Sequence, residues 1–174
     1  MTITVTAAID QYLHDTCPHA IGVFIYGSVA TGRSGPGSDI DCFVLLAEPE
    51  TAETTTRLRS GFAELQNRLG YTPDPDYPIE LFTLQQCQEA LDSSSVRQAV
   101  QQAQTRGHVD PELAASDEVE VLRALLGTRL TVRACPQLDE LTDHAKQVVA
   151  QQLGIPGSPA ERRALQALGV RDRS

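Results

Sequence analysis

The stretch that decides the fold is GSVATGRSGPGSDID, which runs from Gly27 to Asp41. It begins with a glycine–serine turn, continues through a flexible polar loop, and ends with two aspartates separated by Ile40. Glycine has no Cβ and lets an anion approach the main chain. Amide groups at the start of a helix point towards such an anion. We therefore expect Gly27 and Ser28 to bind phosphate groups.

The end of this stretch enters an apolar segment, residues 39–46, that is typical of a buried strand. Side chains two apart in a strand point to the same face. Asp39 and Asp41 are therefore expected to project together, while Ile40 and Cys42 point into the core. Two carboxylates that close repel each other unless a cation lies between them. Mg²⁺ prefers such hard oxygen ligands, so the pattern predicts a magnesium site.

Residues 27–34 also follow the spacing of a P-loop, with Arg33 in place of its lysine. A P-loop runs directly into a helix, whereas here residues 35–37 read Gly-Pro-Gly. Those residues prevent a stable helix at that point. We reject the P-loop interpretation and keep Arg33 as a candidate phosphate contact.

Strands and helices alternate in the first half of the chain, whereas helices dominate the second half. This pattern favours an α/β or α+β fold with a helical extension. Pro49 is expected to begin a helix, and Ser116 is expected to cap one. The predicted strands are 20–26, 39–46, 79–83 and 128–134, and the predicted helices are 6–16, 51–70, 84–92, 95–107, 116–127, 138–154 and 158–174.

The charge balance argues against a nucleic-acid partner. The 174-residue chain has 23 acidic and 14 basic residues, a net charge of −9. Tight binding to a nucleic-acid backbone depends on clustered lysines and arginines, and the chain has no tryptophan and only 5% aromatic residues for base stacking. Nucleotides are still possible substrates, because metal ions can supply positive charge locally.

Composition also predicts where the protein works. Its four cysteines, at positions 17, 42, 87 and 135, form no CxxC pair, so a zinc site is not expected. We expect no signal peptide and no membrane-spanning segment. Reduced cysteines in the cytoplasm are the simplest interpretation.

The motif resembles the nucleotidyltransferases of the DNA polymerase beta superfamily, in particular their minimal, stand-alone bacterial members. Their signature is Gly-Ser, ten intervening residues, and Asp-x-Asp on a strand; here residues 29–38 separate Ser28 from Asp39. The resemblance covers about the first half of the chain. It implies a polymerase-beta-like fold, a small mixed sheet flanked by helices. It also implies a catalytic domain at 1–135 and a helical C-terminal extension at 136–174.

The resemblance further implies a third carboxylate on a neighbouring strand. Glu80 fits, because it lies between Ile79 and Leu81 in an apolar segment. The family more often has aspartate there, and glutamate is longer by one methylene. Asp74 and Asp76 are weaker candidates, because they lie in a proline-rich loop.

A mechanism follows from this resemblance. A nucleoside triphosphate, with ATP favoured, places its phosphates on Gly27 and Ser28. Asp39, Asp41 and Glu80 hold one or two Mg²⁺ ions. An acceptor hydroxyl attacks the α-phosphorus, pyrophosphate leaves, and Glu80 takes the proton.

The sequence leaves the acceptor open. The first hypothesis is a hydroxyl on a small molecule, as in nucleotidyltransferases that modify antibiotics; the acidic chain suits a cationic acceptor. The second is a partner protein, as in minimal nucleotidyltransferases of toxin–antitoxin pairs, which add AMP to a tyrosine. The third is a non-catalytic nucleotide-binding module. Extension of nucleic-acid 3′ ends is the least favoured, given the charge balance.

Overall fold

The computed structural model describes residues 4–171. The strands within that range are β1 (Ala20–Tyr26), β2 (Asp41–Leu46), β3 (Glu80–Thr83) and β4 (Leu130–Arg133). The helices are α1 (Val5–Thr16), α2 (Gly27–Thr31), α3 (Ala52–Arg68), α4 (Leu84–Leu91), α5 (Ser94–Arg106), α6 (Pro111–Ala114), α7 (Asp117–Leu126), α8 (Pro136–Leu153) and α9 (Pro159–Ala167). Neither α6 nor α2 is among the helices predicted from the sequence, although the phosphate interpretation of Gly27 and Ser28 assumes that a helix starts there.

The four strands form one mixed sheet in the order β3-β2-β1-β4. Strand β1 runs antiparallel to both β2 and β4, whereas β2 and β3 are parallel. The parallel pair is connected through α3, which follows β2 and precedes β3. The predicted class, a small mixed sheet accompanied by helices, is confirmed.

Helices α1 and α3 supply the hydrophobic core on one face of the sheet. Ile9 and Leu13 of α1 and Leu58 and Phe62 of α3 are fully or almost fully buried. They belong to one cluster with the side chains of β1 and β2 that point to the same side. The buried positions recur every three or four residues along each helix, which is the spacing of one helical face.

The start of α3 corrects one prediction. The helix begins at Ala52 and not at Pro49. The reason is the side chain of Thr51, whose hydroxyl accepts a hydrogen bond from the Thr54 amide at 3.1 Å. That bond satisfies one of the amides that a helix leaves unpaired at its first turn.

The opposite face of the sheet carries a row of aromatic rings. Phe24, Phe43 and Phe82 come from β1, β2 and β3 and are all buried. The Phe24 and Phe43 ring centroids lie 4.8 Å apart, and those of Phe43 and Phe82 lie 5.4 Å apart. This aromatic row fixes the three strands side by side on the face that also carries the acidic residues.

The chain divides into two compact units. The first comprises residues 4–84 and 128–136 of the described chain and contains the sheet. The second comprises residues 85–127 and 137–171 and is helical, with α5 packed against α7 and α9. The predicted boundary between a catalytic domain and an extension at residue 135 stays a prediction. Within residues 4–171, no helix has both the length and the apolar character needed to cross a membrane.

Candidate active site

Strand register places Asp41 and Glu80 on the same face of the sheet. Glu80 pairs with Phe43 across the parallel strands, and Phe43 lies two residues after Asp41. Paired residues share a face, as do residues two apart along a strand. Cys42, which points to the other face, is buried in the core as predicted. Burial, and then the charge of neighbouring Asp41, raises the pKa of the Cys42 thiol.

Asp39 lies just outside β2, which begins two residues later than predicted. The first pair of the antiparallel ladder joins Tyr26 to Asp41. The Ile40 amide donates instead to the side-chain Oε1 of Gln66 at 2.8 Å. A side chain therefore takes the place of a strand partner at Ile40, and Asp39 is half-buried in the segment that leads into the strand.

The three predicted ligands do not form a preformed cage. Within residues 4–171, no three His, Cys, Asp or Glu side chains lie close enough to hold a metal ion together. Mg²⁺ is usually bound in phosphate-transfer sites through one or two carboxylates, with water and substrate phosphates as the remaining ligands. The hard oxygens of Asp39 and Asp41 fit that chemistry. Glu80 lies on the same face of the sheet as Asp41. Their roles as metal ligands stay predictions.

Gly27 is required by its contact with Asp41. It has a φ of +71°, and a Cβ at this position would overlap the Asp41 Oδ2 atom. The sequence suggested that glycine here leaves room for a phosphate. The structure shows that the missing side chain leaves room for the Asp41 carboxylate, so the turn and the start of β2 lie against each other.

The turn opens directly into α2, as the interpretation of Gly27 and Ser28 as a phosphate site requires. No side-chain hydrogen bond caps this helix at Tyr26, and Ser28 is only 8% exposed. The helix ends at Thr31, and Gly32 follows in the left-handed conformation. Residues 33–40 form no helix, which agrees with our rejection of the P-loop. Contact between phosphate and Gly27, Ser28 or Arg33 stays a prediction.

Hydrogen bonds hold the loop between α2 and β2. The Gly35 amide donates to the Ser38 hydroxyl at 2.8 Å, and the Ser38 amide donates to the Gly35 carbonyl at 2.9 Å. The Thr72 amide donates to the Ser38 carbonyl at 2.9 Å. The loop is therefore a closed turn, more constrained than its glycine content suggests, and it ends next to Asp39.

The two weaker acidic candidates lie in a turn of their own. One carboxylate oxygen of Asp74 accepts hydrogen bonds from the amides of Asp76 at 2.9 Å and Tyr77 at 3.0 Å. Both aspartates are exposed. Because the Asp74 carboxylate shapes its own loop, neither residue displaces Glu80 as the third candidate.

Sequence reasoning missed one cation on the acidic face. Arg129 lies one residue before β4, and its guanidinium carbon is 5.2 Å from the centroid of the Phe24 ring. Phe24 in turn stacks on Phe43, which pairs with Glu80. No local signal marks Arg129, because it reaches this face only through the pairing of β4 with β1.

One family of known proteins matches part of the sequence. Residues 11–94 match the family described as the nucleotidyltransferase domain. The matched range contains β1, α2, β2, α3 and β3, and with them all three candidate carboxylates. No curated protein matches the sequence.

Solved structures of toxin–antitoxin proteins are also similar to the chain. A toxin–antitoxin with AMP-PNP is 20% identical over 85% of this chain and 86% of that chain, with a TM-score of 0.44. A mutant MntA-HpeT toxin–antitoxin is 16% identical over 85% of this chain and 86% of that chain, with a TM-score of 0.47. The third is a tri-AMPylated Shewanella oneidensis HEPN toxin in complex with MNT antitoxin. It is 17% identical over 84% of this chain and 82% of that chain, with a TM-score of 0.41. These TM-scores all lie below 0.5.

Proposed function

We propose that the protein moves a nucleoside monophosphate from a triphosphate to a hydroxyl acceptor, because residues 11–94 match the family described as the nucleotidyltransferase domain. ATP is the proposed donor, and the reaction depends on Mg²⁺ and releases pyrophosphate. One observation carries the proposal. Asp41 and Glu80 share one face of adjacent strands, and Asp41 lies against Gly27, where α2 begins.

Each residue has a role that follows from its position. The first amides of α2, at Gly27 and Ser28, donate to phosphate oxygens. Asp39 and Asp41 would hold Mg²⁺, with Glu80 as a further ligand. When bound, Mg²⁺ offsets the charge of the triphosphate and of the leaving pyrophosphate. Negative side chains can therefore adjoin a polyphosphate.

The transfer exchanges one phosphorus–oxygen bond for another. The acceptor oxygen forms a bond to the α-phosphorus, and the bond to the bridging oxygen breaks as pyrophosphate leaves. Glu80 accepts the proton that the acceptor hydroxyl gives up. Arg33 and Arg129 are the cations we propose for the phosphate groups, Arg33 from the loop after α2 and Arg129 from the start of β4.

Two acceptor classes are retained. The first is a hydroxyl on a small molecule, and the net charge of −9 favours a cationic one. The second is a hydroxyl side chain on a partner protein. One similar complex contains a protein modified in this general way, a tri-AMPylated toxin. The two classes differ in the size of the labelled product.

The test is transfer from ATP labelled at the α-phosphate, with Mg²⁺. One arm contains a panel of hydroxylated small molecules, and the other contains cell lysate. We expect pyrophosphate release with label on a small molecule in the first arm, or on a macromolecule in the second. Asp41→Asn should reduce transfer at least about 100-fold. This reduction exceeds the one expected on replacing a residue that only orients a metal ligand.

Asp143→Asn is the matched control, because Asp143 is an exposed aspartate on α8. This variant should keep full activity. Equal activity of Asp41→Asn and wild type would show that Asp41 holds no essential metal. Magnesium-dependent ATP binding without transfer to any acceptor would instead favour the non-catalytic module.

A further inference from the structure

The side chain of Gln66 is a polar group inside the hydrophobic core of the sheet unit. Gln66 lies on α3 and is 0% exposed. Its Oε1 atom accepts a hydrogen bond from the Ile40 amide at 2.8 Å. Its Nε2 atom donates to the Pro78 carbonyl at 2.9 Å. One amide therefore bridges two backbone segments that are 38 positions apart in sequence.

Those two segments carry the candidate catalytic acids. Ile40 is the residue between Asp39 and Asp41. Pro78 lies two residues before Glu80, with which β3 begins. Gln66 thus holds the backbone of both acidic segments at the end of the sheet where β2 and β3 begin.

Packing alone does not explain a glutamine at this position. The other buried residues of α3, Leu58, Phe62 and Leu65, are apolar. Burying an amide is unfavourable unless both of its polar ends find partners. Without Gln66, the Ile40 amide and the Pro78 carbonyl would lose these partners, and a buried group left unpaired costs about 1–3 kcal/mol. The two hydrogen bonds are therefore the reason for the residue type.

We propose that Gln66 is a positioning residue of the acidic site. It fixes the backbone of the Asp39 and Asp41 segment relative to that of Glu80, so that less rearrangement is needed for the carboxylates to meet the divalent cation. Residues that orient metal ligands act in this way without touching the metal. The inference depends on the proposed function, because it assumes that these acids bind a metal–nucleotide complex.

A second buried glutamine provides a matched control. Gln102 of the helical unit is 5% exposed. Its Oε1 atom accepts from the Asp110 amide at 2.9 Å, and its Nε2 atom donates to the Asp110 carboxylate at 3.0 Å. It makes the same number of hydrogen bonds at similar burial, but it bridges no acidic segment of the sheet.

The experiment compares Gln66→Met with Gln102→Met. Methionine is similar in length and lacks the amide. Binding of Mn²⁺ is measured by calorimetry in the presence of a non-hydrolysable ATP analogue, and thermal unfolding is measured on the same samples. Both variants should unfold at a lower temperature than wild type. Only Gln66→Met should bind Mn²⁺ more weakly, by roughly 10- to 100-fold.

The pair Gln66→Asn and Gln102→Asn repeats the comparison with a smaller change, and it decides the question if Gln66→Met does not fold. Asparagine keeps the amide but is too short to reach both segments. Wild-type Mn²⁺ affinity in a folded Gln66 variant would overturn the positioning role and leave the proposed function standing. If the wild-type protein itself bound neither Mn²⁺ nor nucleotide, both proposals would fail together.

Discussion

Gly27 and Asp41 form the contact on which the candidate site depends. The Asp41 carboxylate lies where the Cβ of any other residue at position 27 would be. The backbone at Gly27 is also in the left-handed region, with a φ of +71°, which disfavours residues with a side chain. Two separate physical effects therefore oppose substitution of this glycine.

Gly27→Ala should reduce both stability and activity. The left-handed backbone alone costs roughly 1–2 kcal/mol for alanine. The overlap adds to this cost and displaces the Asp41 carboxylate, so transfer should fall at least about tenfold, the lower end of the loss for a misplaced metal ligand. Urea unfolding and pyrophosphate release measure the two effects.

Gly32→Ala separates the two effects. Gly32 has a φ of +73°, yet a Cβ there would meet nothing within 4 Å. We expect this variant to lose a similar free energy of unfolding, because its backbone is also left-handed. It should keep its activity. If Gly32→Ala lost as much activity as Gly27→Ala, the contact with Asp41 would not be the cause.

The sequence predicted the acidic residues but not the residues that support them. Asp39 and Asp41 follow from a local spacing, whereas Glu80 is implied by the resemblance to the nucleotidyltransferases, which calls for a third carboxylate between apolar residues. Gln66 and Arg129 have no such local signal. Their roles depend on which backbone segments α3 and β4 meet in the folded chain, and periodicity within one element does not encode this.

At the scale of the elements, the apolar patterns predicted the strands and helices, and hydrogen bonds to single side chains set the starts of β2 and α3. Strand β1 matches its prediction at both ends, and six of its seven residues are buried. Strand β2 begins later than predicted because Gln66 takes the Ile40 amide. Helix α3 begins later because Thr51 caps it. Such hydrogen bonds involve single side chains and are not visible in a hydrophobic pattern.

Removal of the cap of α3 should affect stability alone. Thr51→Ala should lower the free energy of unfolding by about 1 kcal/mol, the usual contribution of an N-cap side chain. Mn²⁺ binding should stay at the wild-type level, because Gln66 lies near the other end of the helix. Urea unfolding and calorimetry on one preparation measure both quantities.

Ser116→Ala is the companion variant. Ser116 caps α7 of the helical unit, where its hydroxyl accepts from the Val119 amide at 3.4 Å. A similar loss of stability is expected. A loss of Mn²⁺ affinity in Thr51→Ala comparable to that in Gln66→Met would mean that any destabilisation of α3 weakens the site, and the specific role of Gln66 would then be wrong.

At the scale of the whole molecule, we propose that the chemistry lies within residues 1–135, as the sequence predicted. Strand β4 ends at Arg133 and completes the sheet. Its Arg133 guanidinium donates to the Ala20 carbonyl at 2.9 Å, which ties this late segment to the first strand. Within residues 136–171, no segment adds a strand to the sheet.

The helical segment should nonetheless be needed for stability. Within the helical unit, α5 packs against α9, and its Val96, Ala99 and Val100 are fully buried. Deletion of residues 136–174 removes α8 and α9 and should expose apolar surface. We expect the shortened chain to unfold at a lower temperature and to aggregate at lower concentration. An unchanged unfolding temperature would show that residues 1–135 fold independently.

The central claim is that Asp39 and Asp41 hold divalent cations beneath the phosphates of a nucleotide bound at the start of α2. Anomalous diffraction from crystals grown with Mn²⁺ and a non-hydrolysable ATP analogue tests it most directly. We predict Mn²⁺ peaks bound by the two aspartates and by phosphate oxygens next to Gly27 and Ser28. A nucleotide bound elsewhere, with no Mn²⁺ coordinated by either aspartate, would contradict the account.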